Sequence, residues 1–219
     1  MPQQLSFDLP SRTALGRDDF FISEANALAV AQVEQDDLWP NGKLVLSGPK
    51  GAGKTHVSHV WASQSGAKII HAASLEMPEE NAVVVEDVHT IAGQHDAEEM
   101  LFHIHNAVLG RGGRLLLTGI GAPNHWPIAL ADLASRLQGT ALVQIDEPDD
   151  MLLMAVLVKG FADRQLQPTP AVLTYLLRHS ERSFAHAHQI VAAMDKRALS
   201  ERRTINRDLA RDVLADLAR

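Results

Sequence analysis

Apolar residues follow two rhythms along this chain. Up to about residue 148, short unbroken apolar runs alternate with stretches in which apolar positions recur every three or four residues; beyond it only the second rhythm remains. The runs Lys43-Leu44-Val45-Leu46-Ser47, Ala67-Lys68-Ile69-Ile70-His71, Ala82-Val83-Val84-Val85-Glu86-Asp87, Arg114-Leu115-Leu116-Leu117-Thr118 and Ala141-Leu142-Val143-Gln144-Ile145 predict five strands. Ala27, Leu28, Val30, Ala31 and Val33 predict a helix over about 24–36, and Val57, Val60 and Trp61 a second. Leu101, Ile104 and Val108 mark the buried face of a third, with Asp96 and Glu99 as a capping-box pair at its start, and residues 129–137 predict a short fourth. Nearly continuous apolar strands separated by helices imply an α/β architecture, a parallel sheet covered on both faces.

After Pro148 four helical stripes follow: Leu152, Leu153, Val156, Leu157 and Phe161; Val172, Leu173, Leu176 and Leu177 behind Thr169-Pro170; Ile190, Val191 and Met194; and Leu209, Val213, Leu214 and Leu217. The expected organisation is an N-terminal segment and linker over 1–19, which is polar and contains Pro10 and Gly16, an α/β domain over 20–148 and a small all-helical subdomain over 149–219.

Composition narrows the class. The 219 residues are 46% hydrophobic, enough for a real core, yet no apolar run approaches a membrane span and Met1–Asp8 shows no basic region followed by an apolar stretch. With no cysteine, disulfides, thiolate metal sites and cysteine nucleophiles are excluded and a cytoplasmic location is expected. The formal net charge is −7 and the basic residues are dispersed, so strong direct DNA binding by the chain alone is not expected. Eleven histidines raise a metal reading, but their spacings complete no ligand set.

The most specific motif is Gly48-Pro49-Lys50-Gly51-Ala52-Gly53-Lys54-Thr55, which satisfies every fixed position of G-x-x-x-x-G-K-S/T and lies between a strand and a helix. Glycines allow a tight turn that aims several N–H groups at one phosphate, Lys54 supplies a charge for the outer phosphates, and the Thr55 hydroxyl is placed for Mg²⁺. The strand ending in Glu86-Asp87 is the acidic partner such a loop requires: one carboxylate can hold Mg²⁺, the next can orient the attacking water. Arg136, in Asp132-Leu133-Ala134-Ser135-Arg136-Leu137, is by itself only an arginine on a helix.

Together these motifs resemble the AAA+ ATPases of the DnaA family, and within it the short Hda-type regulators that inactivate DnaA, over essentially the whole chain. Asp19-Phe20-Phe21-Ile22-Ser23-Glu24-Ala25-Asn26 is similar to the segment that packs on adenine, implying base contacts from Phe20, Phe21, Ile22 and Asn26. Val85–Gly93 resembles the Walker B strand and its continuation. Leu116-Leu117-Thr118-Gly119 with Ala122-Pro123 resembles the sensor strand. Leu133-Ala134-Ser135-Arg136-Leu137 is similar to box VII, whose arginine reaches the ATP of a neighbouring subunit. Gln4-Leu5-Ser6-Phe7-Asp8-Leu9 resembles the peptide that docks replication proteins on the sliding clamp, with Leu5, Phe7 and Leu9 as anchors and Gln4 as hydrogen-bonding partner.

The resemblance implies a P-loop AAA+ sheet followed by a helical lid, with ADP or ATP and Mg²⁺ as cofactors. DnaA continues beyond the lid into a DNA-binding domain; this chain is expected to end with the lid at Arg219, as the Hda-type proteins do. Three departures stand out. Glu86-Asp87 replaces the family's frequent Asp-Asp; Ile120 occupies the first-sensor position; and the second-sensor arginine is expected near Phe184-Ala185, where the nearest arginine is Arg182. They imply intact nucleotide binding with impaired hydrolysis in cis. The expected function is a regulator that docks on the clamp and stimulates hydrolysis of DnaA-bound ATP through Arg136 in trans. Open beside it are an autonomous ATPase of helicase-loader type and an adaptor whose nucleotide only stabilises the fold. Partners are DnaA and the clamp, with a homo-oligomer left open.

Overall fold

The structure, a computed structural model, describes residues 21–218. The expected contacts of Gln4, Leu5, Phe7, Leu9 and Phe20 lie outside the described residues. The five strands are β1 (Lys43–Ser47), β2 (Lys68–His71), β3 (Ala82–Glu86), β4 (Arg114–Gly119) and β5 (Ala141–Gln144). They form one parallel sheet in the order β2-β3-β4-β1-β5. β1 lies between β4 and β5 and is buried at all five positions, as expected for a strand covered on both faces.

Among the described residues eight α-helices accompany the sheet: α1 (Glu24–Glu34), α2 (Lys54–Ser65), α3 (His95–Gly110), α4 (Ala131–Gln138), α5 (Asp150–Ala162), α6 (Pro170–His179), α7 (Phe184–Glu201) and α8 (Arg207–Leu217). One apolar cluster covers the face with α1 and α2, around Leu44, Leu46, Val84 and Leu116. A second covers the opposite face with α3 and α4, around Val45, Val83, Val85, Leu115 and Leu117. A third is confined to the helices after β5, around Leu157, Phe161, Leu176, Ile190, Met194 and Leu209. The alternation along each strand divides the side chains between the first two clusters. Among the described residues no helix is long and apolar enough to cross a membrane.

Capping follows local chemistry, with one correction. The capping box expected at Asp96 and Glu99 does not form: α3 starts at His95, and its N-cap Gln94 makes no side-chain cap. Glu98 takes the reach-back role instead. Its fully buried carboxylate accepts the Gly93 N–H at 2.7 Å, and also the N–H groups of Ala129 (3.0 Å) and Leu130 (2.7 Å), the latter the N-cap of α4. Burial opposes its charge, but three backbone donors outweigh that and hold the carboxyl below the usual range. The box that does form joins Ser23 and Asn26 at the head of α1.

The other end of α4 is also pinned. Lys43, first residue of β1 and buried, donates from Nζ to the carbonyl of Arg136 at 2.9 Å and lies 3.3 Å from His105 Nε2 on α3. Since an ammonium only donates, Nε2 accepts, and the His105 proton resides on Nδ1, 3.4 Å from Asn106 Oδ1. Burial, reinforced by the Lys43 charge, pushes His105 down to about 4 from 6.5. A histidine held neutral in the fold but free to protonate when unfolded makes stability fall as pH drops from about 6.5 to about 4. At ~1.4 kcal/mol per pH unit over about 2.5 units the effect is at most about 3.5 kcal/mol. His105→Gln keeps an acceptor for Lys43 but cannot titrate. Its thermal unfolding curves across this window are expected to shift less than those of the wild type; parallel shifts would remove His105 as the cause.

Candidate functional site

The strands end together. In the sheet register Leu46 is level with Thr118 and Ser47 with Gly119, while Val85 pairs with Leu117, which sets Glu86 beside Thr118. The chain leaving β1 becomes the glycine loop, and α2 begins at Lys54 behind it. Gly51 and Gly53 have φ of +80° and +90°, conformations that side-chain-bearing residues rarely adopt. Gly53 is the N-cap of α2 and brings no side-chain cap, so the first N–H groups of that helix stay open to an anion. Lys54 folds back over the loop and donates to the carbonyls of Gly48 and Pro49, both at 2.9 Å. Its ammonium is depressed by burial and supported by the charges of Asp87 and Glu86, so the lysine and both carboxylates share one field. Thr55 is exposed.

The acidic pair divides its tasks. Glu86, the last residue of β3, is buried, and its Oε1 has no hydrogen-bond partner. A buried unpartnered carboxylate oxygen calls for a cation or water beside it. Glu86 and the open Thr55 hydroxyl are the oxygen donors that Mg²⁺ accompanying a nucleotide would take, with waters and phosphate oxygens completing its shell. Asp87 leaves the strand: expected as its last residue, it has φ +57°, and its N–H donates to Thr118 Oγ1 at 3.1 Å. That turn swings its carboxylate to His71, with Nε2–Oδ2 at 3.2 Å.

Three further residues stand at this site without having been assigned a role from sequence. His71 ends β2 opposite Glu86 in the register and orients Asp87. His89 senses both Asp87 and Lys54, is pushed down chiefly by burial, and keeps a buried Nδ1 without a partner. His188 lies against Gly51, its burial holding the imidazole below its usual range. The first turn of α7 lies against the loop: a Cβ placed on Gly51 would come within 3.1 Å of both Phe184 and His188 and 3.4 Å of the Ala185 nitrogen. The arginine nearest the expected second-sensor position is Arg182. It is exposed and pairs with Asp150 at 3.0 Å.

The expected base-binding segment lies beside the loop entry. Ile145 N–H donates to Ser47 O at 2.8 Å, and the next residue, Asp146, donates to Ala25 O at 3.1 Å. Phe21 and Ile22 are exposed there although large and apolar. Asn26 is buried. Its Oδ1 accepts the Ser23 N–H and its Nδ2 donates to Phe21 O, both at 2.9 Å, so it shapes the segment that presents Phe21 and Ile22.

Arg136 is elsewhere. It is exposed in the last turn of α4, its guanidinium 4.9 Å from the centre of the Phe102 ring, and its carbonyl is held by Lys43 at the start of β1. The glycine loop leaves the other end of that strand, about 13 Å away at ~3.3 Å per residue.

No family model matches the chain. Among curated proteins it is similar to the chromosomal replication initiator protein DnaA of Francisella tularensis subsp. novicida, 26% identical over 189 residues. The match covers 74% of this chain and 38% of that protein, so the chain spans well under half the length of that relative. Domain III of the Thermotoga maritima replication initiation protein DnaA superposes with a TM-score of 0.78 at 15% identity, covering 92% of this chain and 96% of that one. AMPPCP-bound DnaA from Aquifex aeolicus superposes with a TM-score of 0.67 at 19% identity, over 90% of this chain and 68% of that one. The chain therefore has the AAA+ fold seen in domain III of DnaA and is similar in sequence to DnaA over 74% of its length.

Proposed function

We propose that the protein is an adenine-nucleotide-binding regulator of replication initiation, acting in the cytoplasm, which docks on the DNA-loaded sliding clamp and stimulates hydrolysis of DnaA-bound ATP with Arg136. The observation that carries the reading is the position of Arg136. It is exposed at the opposite end of β1 from its own phosphate loop, too remote to serve a nucleotide bound there and free to meet one on a neighbour. In this reading Gly48, Pro49, Lys50, Gly51, Ala52, Gly53, Lys54 and Thr55 hold the phosphates of ADP or ATP, while Phe21 and Ile22, with Phe20, contact the base. Thr55 and Glu86 face Mg²⁺, and Asp87, steered by His71 and Thr118, is placed to orient water. The AMPPCP carried by the Aquifex DnaA structure supports the choice of an adenine nucleotide. Ile120 in place of a polar first sensor and Arg182 engaged with Asp150 support weak hydrolysis in cis.

In trans, water attacks the γ-phosphorus of ATP on DnaA, the bond to the β,γ-bridging oxygen breaks, and ADP leaves with the electron pair while the water loses a proton to solvent. The planar guanidinium of Arg136 meets charge on the equatorial oxygens; an arginine supplied in this way accelerates such transfers by ~10³–10⁵ in the GTPases. The family resemblance of Gln4, Leu5, Phe7 and Leu9 supports clamp docking, which brings the protein to DNA without a basic surface of its own.

Three outcomes test the reading. Lys54→Ala is expected to weaken ADP binding at least ~10-fold by calorimetry, a loss of about 1.4 kcal/mol or more; equal affinities would remove the loop from the nucleotide site. Replacing Gln4 and Leu5 by alanine is expected to abolish capture by the clamp while the melting temperature moves by no more than about 2 °C. A large fall in stability would make that segment packed structure rather than a docking peptide. Arg136→Ala is expected to retain ADP and clamp binding and to lose stimulation of DnaA-bound ATP hydrolysis by ~10³-fold. Undiminished stimulation would favour the adaptor reading, and a fall in the protein's own turnover instead would favour an autonomous ATPase.

A further inference from the structure

The end of α4 that carries Arg136 is held by an unusual group. Lys43 is 7% exposed, and among the described residues no carboxylate pairs with it. Its neighbours are Arg136, whose charge disfavours its own, and the neutral ring of His105. A buried lysine normally has an anionic partner, because desolvating an ammonium costs several kcal/mol. Here the compensation is the Arg136 carbonyl at 2.9 Å, in the last turn of a helix, where carbonyls lack intrahelical donors and the dipole favours a cation. Thr140 Oγ1 donates to the same carbonyl at 2.7 Å, so both lone pairs of that oxygen are engaged. The chain of hydrogen bonds is continuous: His105 Nδ1–H donates to Asn106 Oδ1, and Lys43 Nζ donates to His105 Nε2 and to the Arg136 carbonyl.

The backbone of Arg136 is therefore fixed to β1, the most buried strand of the sheet, while Phe102 supports the face of its guanidinium at 4.9 Å. The opposite end of α4 is fixed by the buried Glu98 carboxylate, again with the sign of charge that suits that helix end. A short helix clamped at both ends by buried charge has little freedom to shift, and its one projecting cation is Arg136.

We propose that Lys43, oriented by His105, is a positioning residue for Arg136: it fixes the last turn of α4 so that the guanidinium is presented preorganised to the triphosphate of a nucleotide bound on a partner ATPase. The inference rests on the reading in which Arg136 acts in trans. It adds that an exposed arginine on an unfixed turn would reach the same phosphate with the wrong geometry, and a displacement of ~1 Å at such a contact costs up to ~10²-fold in rate. Lys43 touches neither nucleotide. It sits at the end of β1 away from the protein's own loop, so its removal leaves that loop untouched.

The test is single-turnover hydrolysis of labelled ATP preloaded on DnaA, with clamp and DNA present and this protein titrated as wild type, Lys43→Met, Arg136→Ala and the double variant. ADP affinity is measured for each. Lys43→Met is expected to lower the maximal rate about tenfold or more, with the half-saturating concentration changed less than about twofold and ADP affinity unchanged. The double variant is expected to be no slower than Arg136→Ala alone, because Lys43 works only through that side chain. A full maximal rate in Lys43→Met, or a loss confined to the half-saturating concentration, overturns the proposal, as does further slowing in the double variant. Undiminished stimulation by Arg136→Ala refutes the underlying trans reading instead, whatever Lys43→Met does. Should Lys43→Met fail to fold, the His105 pair decides: His105→Leu, which removes the acceptor, is expected to slow the maximal rate, and His105→Gln, which keeps one, to preserve it. Equal rates for these two variants overturn the proposal.

Discussion

A single buried strand sets the geometry on which everything else depends. β1 has partners on both sides and apolar layers on both faces, so it can neither tilt nor slide without disturbing both sheet clusters. Its C-terminal end releases the glycine loop, and its N-terminal end carries Lys43, which grips α4. The phosphate site and the arginine are thus two ends of one rigid rod. Such an arrangement suits an arginine that serves a neighbour, because its distance from its own loop is fixed and its distance from the next molecule is set by docking alone.

The electrostatics around this rod are economical. Among the described residues Glu98 and Lys43 are buried ionic groups in no ion pair, and each is satisfied by backbone at a helix terminus of the matching sign. At the loop end, Lys54 shares its surroundings with Glu86 and Asp87, and in the structure its ammonium is held by the loop carbonyls. A nucleotide would offer that lysine a stronger acceptor, and a metal would satisfy the idle Oε1 of Glu86. Helix α7 meets the same loop through Phe184, which is buried in the sheet cluster with Leu46 and Ala52, and through His188, which lies against Gly51.

Much of this architecture was legible in the chain because the periodic signals were strong. All five strands lie within one residue of the apolar runs at either end, and the four helices after β5 coincide with their stripes. The glycine loop carried its own chemistry. What escaped depended on tertiary placement. Asp87 extends an apolar strand in sequence, yet turns into the left-handed region to meet His71. Ser23 and Asn26 form a capping box with asparagine where glutamate or glutamine is the usual signal, while Glu98 bonds N–H groups 31 and 32 residues away, beyond any local pattern. A lysine beginning a strand reads as a solvated edge, and nothing in the local sequence announced that Lys43 faces the carbonyl of Arg136. The contact of His188 with the loop arises only when the lid folds back.

The central claim, that Arg136 meets the terminal phosphate of a nucleotide on another molecule, is tested most directly by photolabelling. DnaA is loaded with an ATP analogue carrying a photoreactive group on the γ-phosphate, combined with this protein, clamp and DNA, irradiated and digested. The account expects label on the α4 peptide, residues 131–138, and its loss when the arginine-bearing surface is blocked. Label on residues 48–55 with none on α4 would contradict it.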